Sequence, residues 1–303
     1  MSIPDETYEE NGRLYHTFQR GLYWLPHDDS ALEMLDILHG MIYNNDKLAL
    51  PLHRSNIIPE KGQPPRILDI GCGTGFWAME MADKYTHAEV IGTDIINAQP
   101  AEIPRNVSFQ PRCNFNDRFW PFGEDTFDLI HLSMITAASV NWGDLYDNVM
   151  RHLRPRCGHI EQLDFDIAPY CEEGPLPQES IILKFWNDLV KASEIARRPI
   201  HYDERETRYN LERAGFVDIT HEKIEIPWHY YRRPRENYQI GGTFQVTMVQ
   251  GTGLDAYCMA PFSRVNHWTK PQIDEYCRAV KAEVAATKLH LFSYIHLWTG
   301  RKP

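Results

Sequence analysis

Three things are missing from this sequence, and each absence closes off a class of function. It has no C-x-x-C pair: the six cysteines stand scattered at 72, 113, 157, 171, 258 and 277. That reads as reduced thiols rather than a disulfide framework or a spaced zinc site, and no metal is expected. No apolar run is long enough to span a bilayer, and polar and acidic residues recur through the first thirty positions. Neither a signal peptide nor a membrane anchor is expected, and the compartment is read as cytoplasm or nucleus. Basic residues are outnumbered, 31 Lys and Arg against 42 Asp and Glu, for a net charge of −11. A nucleic-acid substrate needs a clustered basic face, so none is expected. The one basic cluster, Tyr230-Tyr231-Arg232-Arg233-Pro234-Arg235, reads as a solvated loop.

What is present is an alternation of strand and helix patterns. Leu32, Leu35, Ile37-Leu38 and Met41-Ile42 recur at helical spacing behind a cap at Asp29-Ser30. The breaker cluster Pro59-Glu60-Lys61-Gly62-Gln63-Pro64-Pro65 divides an N-terminal helical extension, residues 1–60, from a core of residues 61–303. Strands are expected at 66–70, 89–93, 107–110, 127–132, 159–167, 217–226 and 289–298, with helices between them. This is an α/β, Rossmann-like pattern: a seven-stranded, mostly parallel sheet with helices on both faces. Two stretches break it, about 170–200 and 228–288, and insertions on a regular scaffold usually shape a substrate wall or lid.

The sharpest motif is Asp69-Ile70-Gly71-Cys72-Gly73-Thr74-Gly75, where a strand runs into glycines at alternate positions. Such a turn lets backbone approach a ligand closely. No G-K-[ST] follows, so it is not a Walker loop, and the spacing is not G-x-G-x-x-G. A carboxylate ahead of the first glycine would repel a pyrophosphate but suits an amino group and a sulfonium. S-adenosylmethionine carries both, and S-adenosylhomocysteine is its product. Asp94, nineteen residues after Gly75 with Ile95 beside it, ends the next strand, where it can accept both ribose hydroxyls. Asn114 and Phe115 stand where adenine is expected, and Ser133 and Met134 end the fourth strand beside the methionine moiety.

Methyl transfer from a sulfonium is an in-line displacement that needs alignment and dryness, with a base only where the acceptor must shed a proton. Candidates for that base are Asp164 and Asp166, at the end of the fifth strand, and His131 in the fourth. Trp142 and the aromatic side chains of the second insertion, Tyr230 and Phe262 among them, are candidates for the acceptor wall, with Arg264 beside them. So many flat and sulfur-bearing residues favour a hydrophobic small-molecule acceptor, with a peptidyl acceptor as the other form.

Over almost its full length the chain resembles the LaeA-type methyltransferases of fungal secondary metabolism, a class I family. The resemblance begins at Tyr15-His16-Thr17-Phe18-Gln19-Arg20-Gly21-Leu22-Tyr23-Trp24-Leu25-Pro26-His27-Asp28. It runs through Leu68 to Trp77, Val90 to Asp94, Phe127 to His131, Trp142 to Tyr146 and His152 to Pro155, and closes at Ala260-Pro261-Phe262-Ser263-Arg264. It implies an N-terminal segment closing over the cofactor, with Tyr15, Arg20 and Tyr23 near the methionine carboxylate. It also implies an alternative to methyl transfer onto an O or N atom, a regulatory subunit with a protein partner; the sequence itself leaves open a third, a pericyclase or cyclase in which the sulfonium acts without transfer. The chain departs from the family pattern at Arg156-Cys157, where a G-G turn is usual, and at Pro111-Arg112-Cys113-Asn114, which lacks the usual aspartate.

Overall fold

The computed structural model describes residues 7–43, 63–228 and 238–303, so the cut at residue 60 and the Tyr230–Arg235 cluster lie outside the described residues. The chain opens with β1 (Thr7–Glu10) and β2 (Arg13–His16), an antiparallel hairpin, and then α1 (Asp29–Tyr43). The core follows as β3 (Arg66–Ile70), α2 (Phe76–Lys84), β4 (Glu89–Asp94), β5 (Val107–Pro111), β6 (Leu129–Ser133), α3 (Trp142–His152) and β7 (His159–Cys171). It continues as α4 (Ile181–Ile195), α5 (Glu204–Ala214), β8 (Val217–Pro227), α6 (Tyr238–Phe244), α7 (Gly253–Arg264), α8 (Lys270–Ala286) and β9 (Leu291–Arg301). No helix of the described residues is long and apolar enough to cross a membrane.

The sheet order is β5-β4-β3-β6-β7-β9-β8, parallel except for β9, which runs against both neighbours. Buried strands with near-continuous apolar runs, such as Arg66-Ile67-Leu68-Asp69-Ile70, need helices on both faces. The helices supply them: α2 covers one side with Trp77, Ala78, Met81 and Ala82, and α3 the other with Leu145, Tyr146 and Val149. The strand order reverses beside β3, so the loops at the carboxyl ends of β3, β4 and β6 open a crevice there, where such sheets bind ligands.

The extension differs from the helical expectation at its start. Asn11 and Gly12 both have positive φ, 54° and 74°, and close the β1–β2 hairpin with the two-residue turn that Asn-Gly favours. The helical stripe is also turned: Ile37 is exposed, whereas Met34, Leu38, Met41 and Ile42 enter the core and Leu32 and Leu35 face the crevice.

The two most family-specific segments hold each other. Arg264 on α7 bonds Glu10 (Nη2–Oε2 2.9 Å) and the Tyr8 hydroxyl (3.0 Å), and its guanidinium lies 4.7 Å above the Tyr15 ring. Arg20 caps Tyr8 from 4.0 Å. A desolvated guanidinium shared between a carboxylate and aromatic faces is a strong tether. It ties the N-terminal hairpin to the second insertion.

Candidate active site

The crevice above β3, β4 and β6 is a cleft of about 1060 Å³. Its floor is the glycine turn. Gly71, Gly73 and Gly75 all take positive φ (69°, 55° and 85°), and the Gly71 and Cys72 N–H groups both donate to Thr93 O, at 2.9 and 3.0 Å. Asp94 locks the turn to β4: Oδ2 accepts from Gly73 N at 2.7 Å and Oδ1 from Ile96 N at 3.1 Å. Burial nevertheless pushes its carboxyl up to about 6, the backbone donors holding it down only in part.

Gly75 works from behind the loop. A Cβ there would fall 2.5 Å from Phe109 Cζ, and one added at Gly92 would fall 2.6 Å from the same ring, so the ring lies close over both glycines. Gly75→Ala is expected to cost about 2–5 kcal/mol, left-handed strain plus overpacking. Gly73→Ala meets nothing within 4 Å and carries the φ cost alone. Urea unfolding of both variants checks the difference, and equal losses would refute the wedged-ring account.

The cleft walls carry three carboxylates, Asp36, Asp69 and Asp94, against one guanidinium, Arg198. Asp69, 3% exposed, accepts from His131 at 2.8 Å. Because a carboxylate only accepts, His131 donates from Nδ1, and its Nε2 takes the Tyr43 hydroxyl at 2.9 Å. The ring also stacks flat on Trp77, 3.7 Å apart and 4° from parallel. Both nitrogens are thus engaged, and His131 lines the cleft beside Asp69. Thr74 donates to Asp36 Oδ1 at 2.6 Å, fastening the glycine turn to α1.

Of the residues expected at the cofactor, Tyr23, Asp69, Gly71, Cys72, Gly73, Asp94, Ile95, Asn114, Phe115, Ser133 and Met134 line the cleft. Asn114 is fixed by its own network, donating to Gln19 Oε1 at 2.7 Å and accepting from Asn116 N at 3.0 Å. Tyr15 and Arg20 do not line it; they belong to the hairpin clamp, for Tyr15 is 1% exposed beneath Arg264.

Sequence reasoning missed Arg198. Its side chain is 7% exposed, donates to Ala138 O at 3.0 Å and has no carboxylate partner among the described residues. Burial alone pulls its pKa down. Nothing local distinguishes it from Arg197 next door, because only the fold decides which of the two is buried.

A second cavity, of about 410 Å³, shares Tyr23, Met134 and Ala138 with the cleft as a common wall. Asp164 lies on it. Its Oδ1 accepts from Thr136 N at 3.1 Å and Thr136 Oγ1 at 2.8 Å, and its Oδ2 from Gln162 Nε2 at 3.0 Å. Burial pushes this carboxyl up to about 6. Asp166 is elsewhere: it accepts from the Tyr170 hydroxyl at 2.7 Å and from Ala168 N at 3.2 Å, and it lines neither cavity.

The acceptor candidates fare differently. Phe262 is wholly buried against Phe185 and Trp268, Trp142 packs on Tyr146 in α3, and Arg264 is the tether described above. None of these three lines either cavity, because helix packing takes up their side chains. Tyr230 lies outside the described residues. Glu204, His221 and His296 gather ligand-type atoms within 4.8 Å of one another. The two rings bond each other (2.8 Å), and Lys223 holds Glu204 (2.8 Å).

A family model described as a methyltransferase domain matches residues 43–221. The chain is 38% identical to the secondary metabolism regulator LAE1 of Cochliobolus heterostrophus, over 99% of this chain and 96% of that one. It is 33% identical to the protein-methionine methyltransferase laeA of Emericella nidulans, over 99% of this chain and 77% of the other. Among solved structures, Haemonchus contortus phosphoethanolamine N-methyltransferase 2, in complex with phosphomonomethylethanolamine and S-adenosylhomocysteine, superposes with a TM-score of 0.55. That match covers 95% of this chain and 61% of that one, and at 14% identity it speaks for the fold.

Proposed function

The chain belongs to the LaeA-type methyltransferases, and on that premise we propose that its cleft holds S-adenosylmethionine and that the neighbouring cavity presents a hydroxyl or amine to it. The observation that carries this reading is Asp94, a carboxylate at the end of β4 that braces the glycine turn while lining the cleft. It accepts the two ribose hydroxyls. Asn114, Phe115 and Ile95 form the adenine end. Asp69, held by His131, faces the amino group, and the three-to-one excess of carboxylates over guanidinium suits a ligand with an ammonium, a sulfonium and one carboxylate.

Bound there, S-adenosylmethionine supplies an electrophilic methyl that leaves a neutral thioether as it departs. The chain aligns the partners and keeps water out. Asp164, in its ionised form, accepts a hydrogen bond from the acceptor and takes its proton as the new O–C or N–C bond forms. A domain organisation follows from the same reading: the extension and α1 cover the donor, and the two insertions receive the acceptor.

Arg198 shares the Ala138 carbonyl with Asn116, whose amide also reaches Asn114, and so stands at the adenine end of the cleft. Arg198→Ala is expected to weaken S-adenosylhomocysteine and 5′-methylthioadenosine alike, by about tenfold, since both carry the adenosine. Competition binding reads both, and a loss confined to S-adenosylhomocysteine would contradict this placement.

A second reading has its own observation. Met134 lies on the wall shared by the cleft and the Asp164 cavity, and the Emericella relative is named a protein-methionine methyltransferase. A thioether acceptor would need no base. Intact-mass analysis after incubation with S-adenosylmethionine separates the readings: added methyl mass that vanishes in Met134→Leu supports self-methylation, and unchanged mass leaves the hydroxyl or amine acceptor.

A further inference from the structure

A third cavity, of about 560 Å³, adjoins the Asp164 chamber and shares Ile167 and Tyr257 with it. Much of its wall comes from the two insertions: Phe185, Trp186 and Leu189 from α4, Met248 from the segment between α6 and α7, and Leu254 from α7 itself. No charged side chain stands on its wall among the described residues. The Trp228 indole N–H, which a ligand would otherwise have to satisfy, already donates to Ser293 Oγ at 2.8 Å.

The local backbone is shaped for this space. Residues Gln245–Gln250 form a π-helix, a rare conformation that recurs at functional sites. Gly253 lets α7 start against it, for a Cβ there would lie 2.6 Å from Met248 Cα. Ordinary core packing would fill such a gap with side chains.

We propose that this third cavity takes the uncharged apolar body of the methyl acceptor, whose hydroxyl or amine lies against Asp164 in the second. The proposal rests on the acceptor reading above and deepens it to a substrate class. Each element excludes something. A charged body would be desolvated with no partner. A peptide main chain would bring more N–H and C=O groups than this wall can pair, since among the described residues its only polar side-chain groups are those of Trp186, Trp228 and Tyr257, so a peptidyl acceptor would place a side chain here. A purely apolar molecule would present no oxygen or nitrogen to receive the methyl group beside Asp164. An apolar lining of this kind favours apolar solutes of matching shape. The acceptor is therefore an apolar, aromatic or aliphatic molecule bearing one hydrogen-bond-donating end group.

The test uses three probes on the full chain with S-adenosylhomocysteine present: 1-naphthol, 1-naphthylamine and 1-naphthoate, followed by calorimetry. The first two share a donor group on an apolar body, and the third puts an anion against Asp164. The expected result is saturable binding of 1-naphthol and 1-naphthylamine below roughly 1 mM, and at least about tenfold weaker binding of 1-naphthoate. Filling the chamber with Leu189→Trp should weaken 1-naphthol about tenfold or more while S-adenosylhomocysteine affinity holds within about twofold. Should Leu189→Trp fail to fold, Leu254→Phe makes the same measurement with a smaller intrusion. Three outcomes overturn the proposal: no 1-naphthol binding, binding indifferent to both filling variants, or 1-naphthoate binding as well as 1-naphthol. Failure of S-adenosylhomocysteine to bind would instead sink the donor reading, since the naphthol measurement can be repeated without it.

Discussion

Asp94→Ala is expected to lower the affinity for S-adenosylhomocysteine by about 100-fold or more, because two hydrogen bonds to a charged acceptor, worth about 1.5–3 kcal/mol each, disappear together. The loss has a second source within the protein. Gly73 N and Ile96 N both donate to Asp94, so truncation also releases the turn that approaches the ligand. Asp94→Asn separates the two contributions: its amide oxygen still receives Gly73 N but is uncharged, and about a tenfold loss is expected. The pH dependence has a definite sign. Burial raises the Asp94 carboxyl to about 6, so the ionised form needed by the ribose is present above pH 6 and is depleted below it. Affinity should therefore fall as pH drops through 6, steeply in the wild type and weakly in Asp94→Asn. Equilibrium dialysis with labelled S-adenosylhomocysteine across that range reads all three.

Asp164→Asn should reduce the turnover rate by about 100- to 1000-fold while leaving S-adenosylhomocysteine binding near wild type. The carboxylate lines the acceptor side and not the donor cleft, so kcat rather than donor affinity reports it. Its carboxyl is also raised to about 6 by burial. In the wild type the rate should climb with pH, about tenfold per unit below 6, and level off above it. In the variant the profile should be flat there. Label transfer from methyl-labelled S-adenosylmethionine into metabolites extracted from the source organism supplies the rate. A rate unchanged by Asp164→Asn would return the reading to an acceptor that sheds no proton, and Asp166→Asn serves as the comparison, since the Tyr170 hydroxyl holds Asp166 outside both cavities.

The core of the fold was legible because it is written in local signals. Apolar runs set off by Gly and Pro placed the seven strands, and three glycines at alternate positions behind Asp69 marked the ligand turn. The hairpin at the start departs from the helical expectation, although Asn11-Gly12 between Tyr-bearing strands carries a short-range hairpin signal of its own.

What could not be read were contacts between segments distant in sequence. His131 gives no sign in sequence that Asp69, Tyr43 and Trp77 surround it. Arg264 has no local mark of its bonds to Glu10 and Tyr8, which lie some 250 residues back along the chain. Arg198 has no sequence signal at all, for its role depends on burial beside Ala138. The insertion's aromatic residues divide the same way, with Phe244 and Tyr257 on cavity walls and Phe262 and Trp268 in packing.

The central claim is that the Asp94-braced cleft is the seat of the methyl donor. Calorimetric titration of S-adenosylhomocysteine into the purified full-length chain at neutral pH tests it most directly. The account predicts one saturable site per chain, with a dissociation constant on the order of micromolar. Absence of heat for either S-adenosylmethionine or S-adenosylhomocysteine, in protein that melts cooperatively, would contradict it.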